Sequence, residues 1–163
     1  AQNSSQEIIP ILIDTYGGDI YALMSMLDMI ASIKDKKIAT IIVGKAMSAG
    51  SVLFSAGHDG YRFMSESSTI MIHHTMEETS GGSINKIHDV QAGALELERV
   101  NTKMLEILST NCGKPKDYFK KLLTKNNHAD LYLDANACIK HNLANHIKIP
   151  TFDVSIDMKV SFG

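Results

Sequence analysis

Residues 38–43, Ile-Ala-Thr-Ile-Ile-Val, form an unbroken apolar run dominated by β-branched side chains, and Gly44 closes it. Such a run is a buried strand. After the bend Gly44-Lys45-Ala46-Met47, the small residues Ala49 and Gly50 let a helix carrying Val52, Leu53 and Phe54 start tightly against the strand it has just left. Ser48 therefore stands at a strand-to-helix turn. A hydroxyl there sits at the positive end of the helix dipole, among N–H groups that lack a partner inside the helix, where an oxyanion can be held. Serine is also a preferred N-cap. The nucleophile-elbow pattern G-x-S-x-G is half met, with Gly50 present and alanine at position 46. Nucleophile and cap both remain open on this stretch alone.

Ile8-Ile9-Pro10-Ile11-Leu12-Ile13 is a second strand, with Pro10 restricted to its start or to a sheet edge because it has no N–H to give. A Gly17-Gly18 turn follows. Ile20, Leu23, Met24, Leu27, Ile30 and Ala31 recur at helical spacing and predict an amphipathic helix that ends before the charged turn at residues 34–37. Strand, helix, strand, helix in this compass implies βαβ units, right-handed crossovers and a largely parallel sheet. Tyr61-Arg62-Phe63-Met64 and Thr69-Ile70-Met71-Ile72 are further short strands, and the second delivers His73 and His74 at its end. Ligands of open α/β sheets gather at the carboxyl ends of strands, where the Gly17-Gly18 turn, Ser48 and His73 all fall.

Residues 75–82, with Glu77-Glu78 and Gly81-Gly82, have the composition of a polar loop. Ile84, Ile87, Ala94, Leu97, Val100, Met104, Leu105 and Leu108 mark a long helix over about residues 84–112, stopped by Gly113 and Pro115. It is longer than one small sheet can cover, so part of it is expected to project and bury its apolar side on another subunit. A short helix at 115–123, an extended segment at 130–133 and a helix capped by Asp134 complete this region. Between Phe152 and Phe162 every even position is apolar and every odd one polar, the pattern of a half-buried strand that needs a sheet edge. The expected organisation is one domain over residues 1–150 and a strand-like tail over 151–163.

A chain of 163 residues can bury a core without staples. Its net charge of −2 provides no basic patch for nucleic acid. Cys112 and Cys138 form no C-x-x-C pair, which sets aside a disulfide framework or zinc site and fits a reducing compartment. The first residues are polar and no apolar run approaches membrane length, so cytoplasm or an organelle interior is the expected location.

A serine on a helix-entry turn and a histidine at a strand end suit nucleophilic acyl transfer: the histidine takes the serine proton, a carboxylate fixes its tautomer, and backbone N–H groups stabilise the oxyanion. Spacing alone does not choose that carboxylate among the eleven aspartates. His73 and His74 are equally a strand-end histidine beside a solvated one. A metal set of His73, His74, Glu77 and Glu78 lacks the fixed helical spacing that places ligands on one face, and no cofactor is expected.

Gly17-Gly18-Asp19-Ile20-Tyr21-Ala22, then Val43-Gly44-Lys45-Ala46-Met47-Ser48-Ala49-Gly50, then Arg62-Phe63, then Ile70-Met71-Ile72-His73 resemble, in order and separation, the proteolytic subunits of the ATP-dependent Clp protease family. The resemblance covers nearly the whole chain, from about residue 8 to residue 146. It implies an α/β fold of the Clp and crotonase kind, built from repeated ββα units with a long projecting handle helix. By the family pattern Ser48 is the nucleophile, His73 the general base and Asp130 the orienting acid. The backbone N–H groups of Gly17 and Ala49 form the oxyanion hole, and Gly18, Met47, His74 and Thr75 lie along the bound substrate. The resemblance further implies a homo-oligomer of heptameric rings around a closed chamber, unfolded polypeptide as substrate, and an AAA+ ATPase unfoldase as partner, without nucleic acid or membrane.

The chain also departs from that pattern. Thr15-Tyr16 stands where the family has Ser-Pro, His74-Thr75 follows the histidine in place of Gln-Pro, and His128-Ala129-Asp130 replaces Asp-Arg-Asp, keeping the acid but losing both charges of an inter-ring salt link. The axial loop, helix and strand that meet the ATPase in the family precede the point where these residues begin, and the alternating tail is an addition. The leading expectation is a serine endopeptidase, with a catalytically silent ring subunit as the alternative. A phage capsid-maturation protease shares the same fold and triad. An acyl-CoA enzyme of the crotonase kind would leave the Ser48 and His73 pair without a purpose.

Overall fold

A computed structural model describes residues 6–76 and 86–151. Residues 1–5, Glu77, Glu78, Gly81, Gly82 and Ile84 of the loop and helix start, and the alternating segment at 152–162 lie outside the described residues. In chain order the elements are β1 (Ile8–Thr15), α1 (Ile20–Ser32), β2 (Lys37–Met47), α2 (Ala49–Ser55), β3 (Arg62–Met64), β4 (Thr69–Ile72), α3 (Ile87–Asn111), α4 (Tyr118–Lys125), β5 (Leu131–Leu133), α5 (Ala135–Lys140) and β6 (His146–Ile147).

The apolar run at 38–43 forms the first half of β2, the strand that every other part of the sheet leans on. β2 pairs in parallel with β1 along nearly its whole length, from Ile8↔Lys37 to Thr15↔Ala46. On its other side it first pairs with β3, through Thr40↔Arg62 to Ile42↔Met64, and then with β4, through Lys45↔Thr69 to Met47↔Met71. One strand can serve two successive neighbours because it bends between them at Gly44, whose φ of 102° is open to glycine at no steric cost. Pro10 lies opposite Ala39 in β1, which pairs only with β2 among the described strands, so the missing N–H faces away from the ladder.

The sheet is largely parallel, as βαβ connections demand. The exception is β5, which runs antiparallel to β4 with Ile72↔Leu131 and Ile70↔Leu133. β6, parallel to β3, was not expected; two residues are too few to leave a period in the sequence. The helix expected at 115–123 starts later, at Tyr118, because the Pro115 carbonyl accepts the Tyr118 N–H in a turn that precedes it. Asp134 caps α5 as expected, its Oδ1 accepting from the Ala137 N–H at 2.8 Å. α3 buries Val100, Met104, Leu105 and Leu108, all in its carboxyl half, while Ile87, Val90 and Leu95 are more than half exposed.

Among the described residues a single charged side chain is fully buried. Arg62 is 1% exposed, and its guanidinium donates to the carbonyls of Leu143, Gly57, Asn142 and Asn111 and to Asp59 Oδ1. It thereby joins β3, the end of α3 and the α5–β6 connection, satisfying carbonyls that have left regular structure. Arg62→Met keeps the volume and strands those carbonyls, so urea unfolding is expected to show a loss of about 1–3 kcal/mol for each carbonyl that finds no other partner. Arg62→Lys should recover only part of it, because one ammonium cannot span four carbonyls in different directions.

Candidate active site

Ser48 follows directly on β2 and precedes α2. Its N–H donates to Met71 O of β4 at 2.8 Å, one step beyond the Met47↔Met71 pair, so the turn is fastened to the neighbouring strand. Its φ of 54° and ψ of −123° are unusual for a side chain with a Cβ, a strain of the kind found where a nucleophile is presented on a sharp turn. Ser48 holds the N-cap position of α2 without capping it by its side chain. The Ser48 side chain makes no capping bond to α2; its hydroxyl lies 2.7 Å from His73 Nε2 instead.

The Gly17-Gly18 turn packs on the same corner. A Cβ on Gly17 would lie 2.8 Å from Ser48 Cβ and 2.9 Å from Met47 O, and its φ of +108° independently favours glycine. The Gly17 N–H donates to Thr15 Oγ1 at 3.1 Å. Gly50 serves a second close approach: a Cβ there would collide with Thr15 Cγ2, so α2 can cross β1 only with glycine at this position.

His73 stands immediately after β4 with an 11% exposed side chain, and the β4–β5 register brings the residue before Leu131 alongside it. That residue is Asp130, whose Oδ1 is 3.9 Å from His73 Nδ1 and whose side chain is half exposed. The separation is an ion-pair distance, longer than a hydrogen bond. Serine and histidine are thus joined, with the carboxylate beside them but not bonded. Ser48 and His73 face a cleft of about 830 Å³ whose wall is apolar, with Leu23, Val52, Val100 and Met104 contributing.

Gly18 and Thr75 line this cleft; Met47 and His74 are not among its lining residues. The His74 ring turns instead to Asn101 of α3 and to His128, with His74 Nε2 3.1 Å from His128 Nδ1 and Asn101 Nδ2 3.2 Å from His74 Nδ1. His128 stood out in the sequence only as a departure from the family's Asp-Arg-Asp, not as a partner of His74, and Asn101 was not singled out. Asn101 had a signal: it falls on the helical stripe of Leu97, Val100, Met104, Leu105 and Leu108, where a polar side chain needs a partner. On the far wall, Tyr21 Oη donates to Glu96 Oε1 at 2.7 Å and ties α1 to α3. Hydrogen bonds from Arg99 and then Tyr21 hold the Glu96 carboxyl down at about 2.

Burial pushes the thiols of Cys112 and Cys138 up to about 12, so neither is available as a thiolate. Among the described residues no group of three or more His, Cys, Asp or Glu is placed to hold a metal, and no helix is long and apolar enough to cross a membrane.

The sequence model of the Clp protease family matches residues 1–150. Over 147 residues the chain is 31% identical to an ATP-dependent Clp protease proteolytic subunit of Streptococcus mutans, an alignment covering 90% of this chain and 71% of that protein. It is 29% identical over 143 residues to an ATP-dependent Clp protease proteolytic subunit 1 of Rhodopirellula baltica, covering 88% of this chain and 59% of that one.

The Gly17 contacts make a direct test of the corner. Gly17→Ala forces a Cβ against Ser48 and the Met47 carbonyl, and a displacement of about 1 Å at a reacting atom costs on the order of a hundredfold. The rate at which a fluorophosphonate labels Ser48 is expected to fall by about that factor, and the melting temperature should fall as well, since alanine is strained at φ +108°.

Proposed function

Because the chain belongs to the Clp protease family, we propose that it is a serine endopeptidase, the proteolytic subunit of an ATP-dependent protease, cutting unfolded polypeptide inside an oligomeric chamber. The observation that carries this reading is the 2.7 Å contact between Ser48 Oγ and His73 Nε2. In the mechanism, Ser48 Oγ attacks the scissile carbonyl as its proton passes to His73 Nε2. The tetrahedral oxyanion is held by the N–H of Ala49 and by that of Gly17, which exchanges Thr15 Oγ1 for the substrate oxygen. His73 then returns the proton to the leaving amine, and water, activated by the same imidazole, releases the acyl group. Asp130 closes on His73 Nδ1–H in the reacting state, steadying the imidazolium. Gly18 and Thr75 flank the bound backbone, and the apolar cleft wall favours an apolar side chain beside the cut bond.

A homo-oligomer, ring-shaped as in the family, is supported by the exposed Ile87, Val90 and Leu95 on α3, an apolar surface that a lone subunit leaves in water. Association with an ATPase is supported by the relatives' names alone. A second reading, a catalytically silent ring subunit, draws on the 3.9 Å gap between His73 and Asp130.

Labelling separates the two. The assembled protein is expected to react with a fluorophosphonate at Ser48 and to cleave unstructured peptides, and Ser48→Ala should lose both, the turnover by on the order of a millionfold. An assembled protein that takes no label is the silent subunit. Thiol reagents should leave cleavage unchanged, since both cysteines are buried and protonated; inhibition by iodoacetamide would contradict the assignment of the nucleophile.

A further inference from the structure

We propose that His74, His128 and Asn101 are positioning residues: they form a one-directional hydrogen-bonded strut that holds the Asp130 loop against His73, a role that rests on Ser48 and His73 being the reacting pair. The direction of the strut follows from the backbone. The Thr75 N–H can only donate, and it donates to Asn101 Oδ1 at 2.9 Å, which fixes that amide. Asn101 Nδ2 must then donate to His74 Nδ1, 3.2 Å away, leaving the His74 proton on Nε2. His74 Nε2–H in turn donates to His128 Nδ1 at 3.1 Å, so His128 carries its proton on Nε2 as well. The chain runs from the end of β4, through α3, to the loop between α4 and β5.

That loop needs an outside support. Asp130 is half exposed and 3.9 Å from His73 Nδ1, so the carboxylate does not position itself. Two residues earlier the backbone is strained: Asn127 and His128 are consecutive non-glycine residues with φ of 54° and 58°. Within the loop the His128 N–H reaches Leu123 O, and Asn126 Nδ2 reaches the Ala129 and Asp130 carbonyls at 3.3 and 3.4 Å. The β4–β5 ladder begins only at Leu131, and the ring of His128, 5.2 Å from that of His74 between centroids, is a side-chain contact that ties the turn before it to the end of the strand preceding His73.

Two facing imidazole nitrogens also resemble half of a metal site, but the strut's polarity argues otherwise. A metal on His74 Nε2 would move the proton to Nδ1, straight against the Asn101 N–H groups. The same polarity explains the polar residue on the apolar stripe of α3, because the Asn101 amide is engaged at both ends.

His128→Gly removes the ring and relieves the left-handed backbone, so the fold is expected to melt no lower than the parent. His128→Asn tolerates that backbone and returns an acceptor close to where Nδ1 stood. Imidazole nitrogen NMR shifts of the assembled protein at pH 8 report the His73 tautomer without turnover, and kcat and KM on an unstructured peptide report its consequence. The parent is expected to hold His73 in the Nδ1–H form. His128→Gly should mix the His73 tautomers and lower kcat roughly ten- to hundredfold with KM little changed, and His128→Asn should restore most of both. The strut is overturned if His128→Gly leaves tautomer and kcat at parent values, or if His128→Asn behaves like His128→Gly. A parent that takes no fluorophosphonate overturns the peptidase reading instead, and the His73 spectra of the three proteins still decide whether the strut orients that ring.

Discussion

The hydrogen bond from the Ser48 N–H to the Met71 carbonyl, 2.8 Å long, is the rung on which the site depends. It extends the β2–β4 ladder one residue past Met47↔Met71 and fixes the serine turn relative to the strand that ends before His73. The β4–β5 register then does the same for the residue preceding Leu131. Serine, histidine and aspartate come from three distant parts of the chain, yet their backbone heights are set by strand pairing, while the half-exposed Asp130 carboxylate is left to side-chain contacts. Arg62 plays the corresponding part at the other end of the sheet, where carbonyls of three connections lose their regular partners and find one guanidinium.

Close approach is the second constraint. The Gly17 turn meets the Ser48 turn at a separation that excludes a Cβ, and α2 crosses β1 where Gly50 meets Thr15. The small residues at the start of α2 therefore have a tertiary cause as well as a local one: they let a helix fold back over the strand pair that presents the serine. The strain at Ser48 is tolerated because the ladder on one side and the first turn of α2 on the other, where Ser51 N–H bonds the Ser48 carbonyl, over-determine its backbone.

The elements with a clear period were legible in the sequence. The β-branched run at 38–43, the stripe of α1, the strand before His73 and the long helix through Leu108 all appear where their patterns place them. Strand β6 and the start of α4 were not legible, because two residues carry no period and a prolyl turn can precede a helix as readily as begin it. Ser48 could not be separated from a side-chain cap by spacing, since both uses ask for the same residue at the same turn; that its hydroxyl meets His73 and not the first turn of α2 depends on where β4 ends. The role of His128, visible in the sequence only as a lost charge, was hidden for a different reason. Its partner is 54 residues away in sequence, and what turns its ring toward His74 is a left-handed backbone that nothing in the side chain announces.

The site is supported in two ways that respond differently to disturbance. Ser48 and His73 are set by strands buried in the core, with Ile42, Ala46 and Ile70 fully covered behind them, so their contact survives fluctuations of the surface. Asp130 hangs on a strained, half-exposed loop and lies 3.9 Å from its histidine. Side-chain bonds from α3 reach this region at Asn101 and reach α1 at Glu96, while the amino half of the same helix leaves its apolar side uncovered. The Ser48–His73 contact is therefore fixed by the buried strands of the core, whereas the Asp130 side chain lies on a half-exposed loop near a helix whose amino half leaves apolar side chains in water.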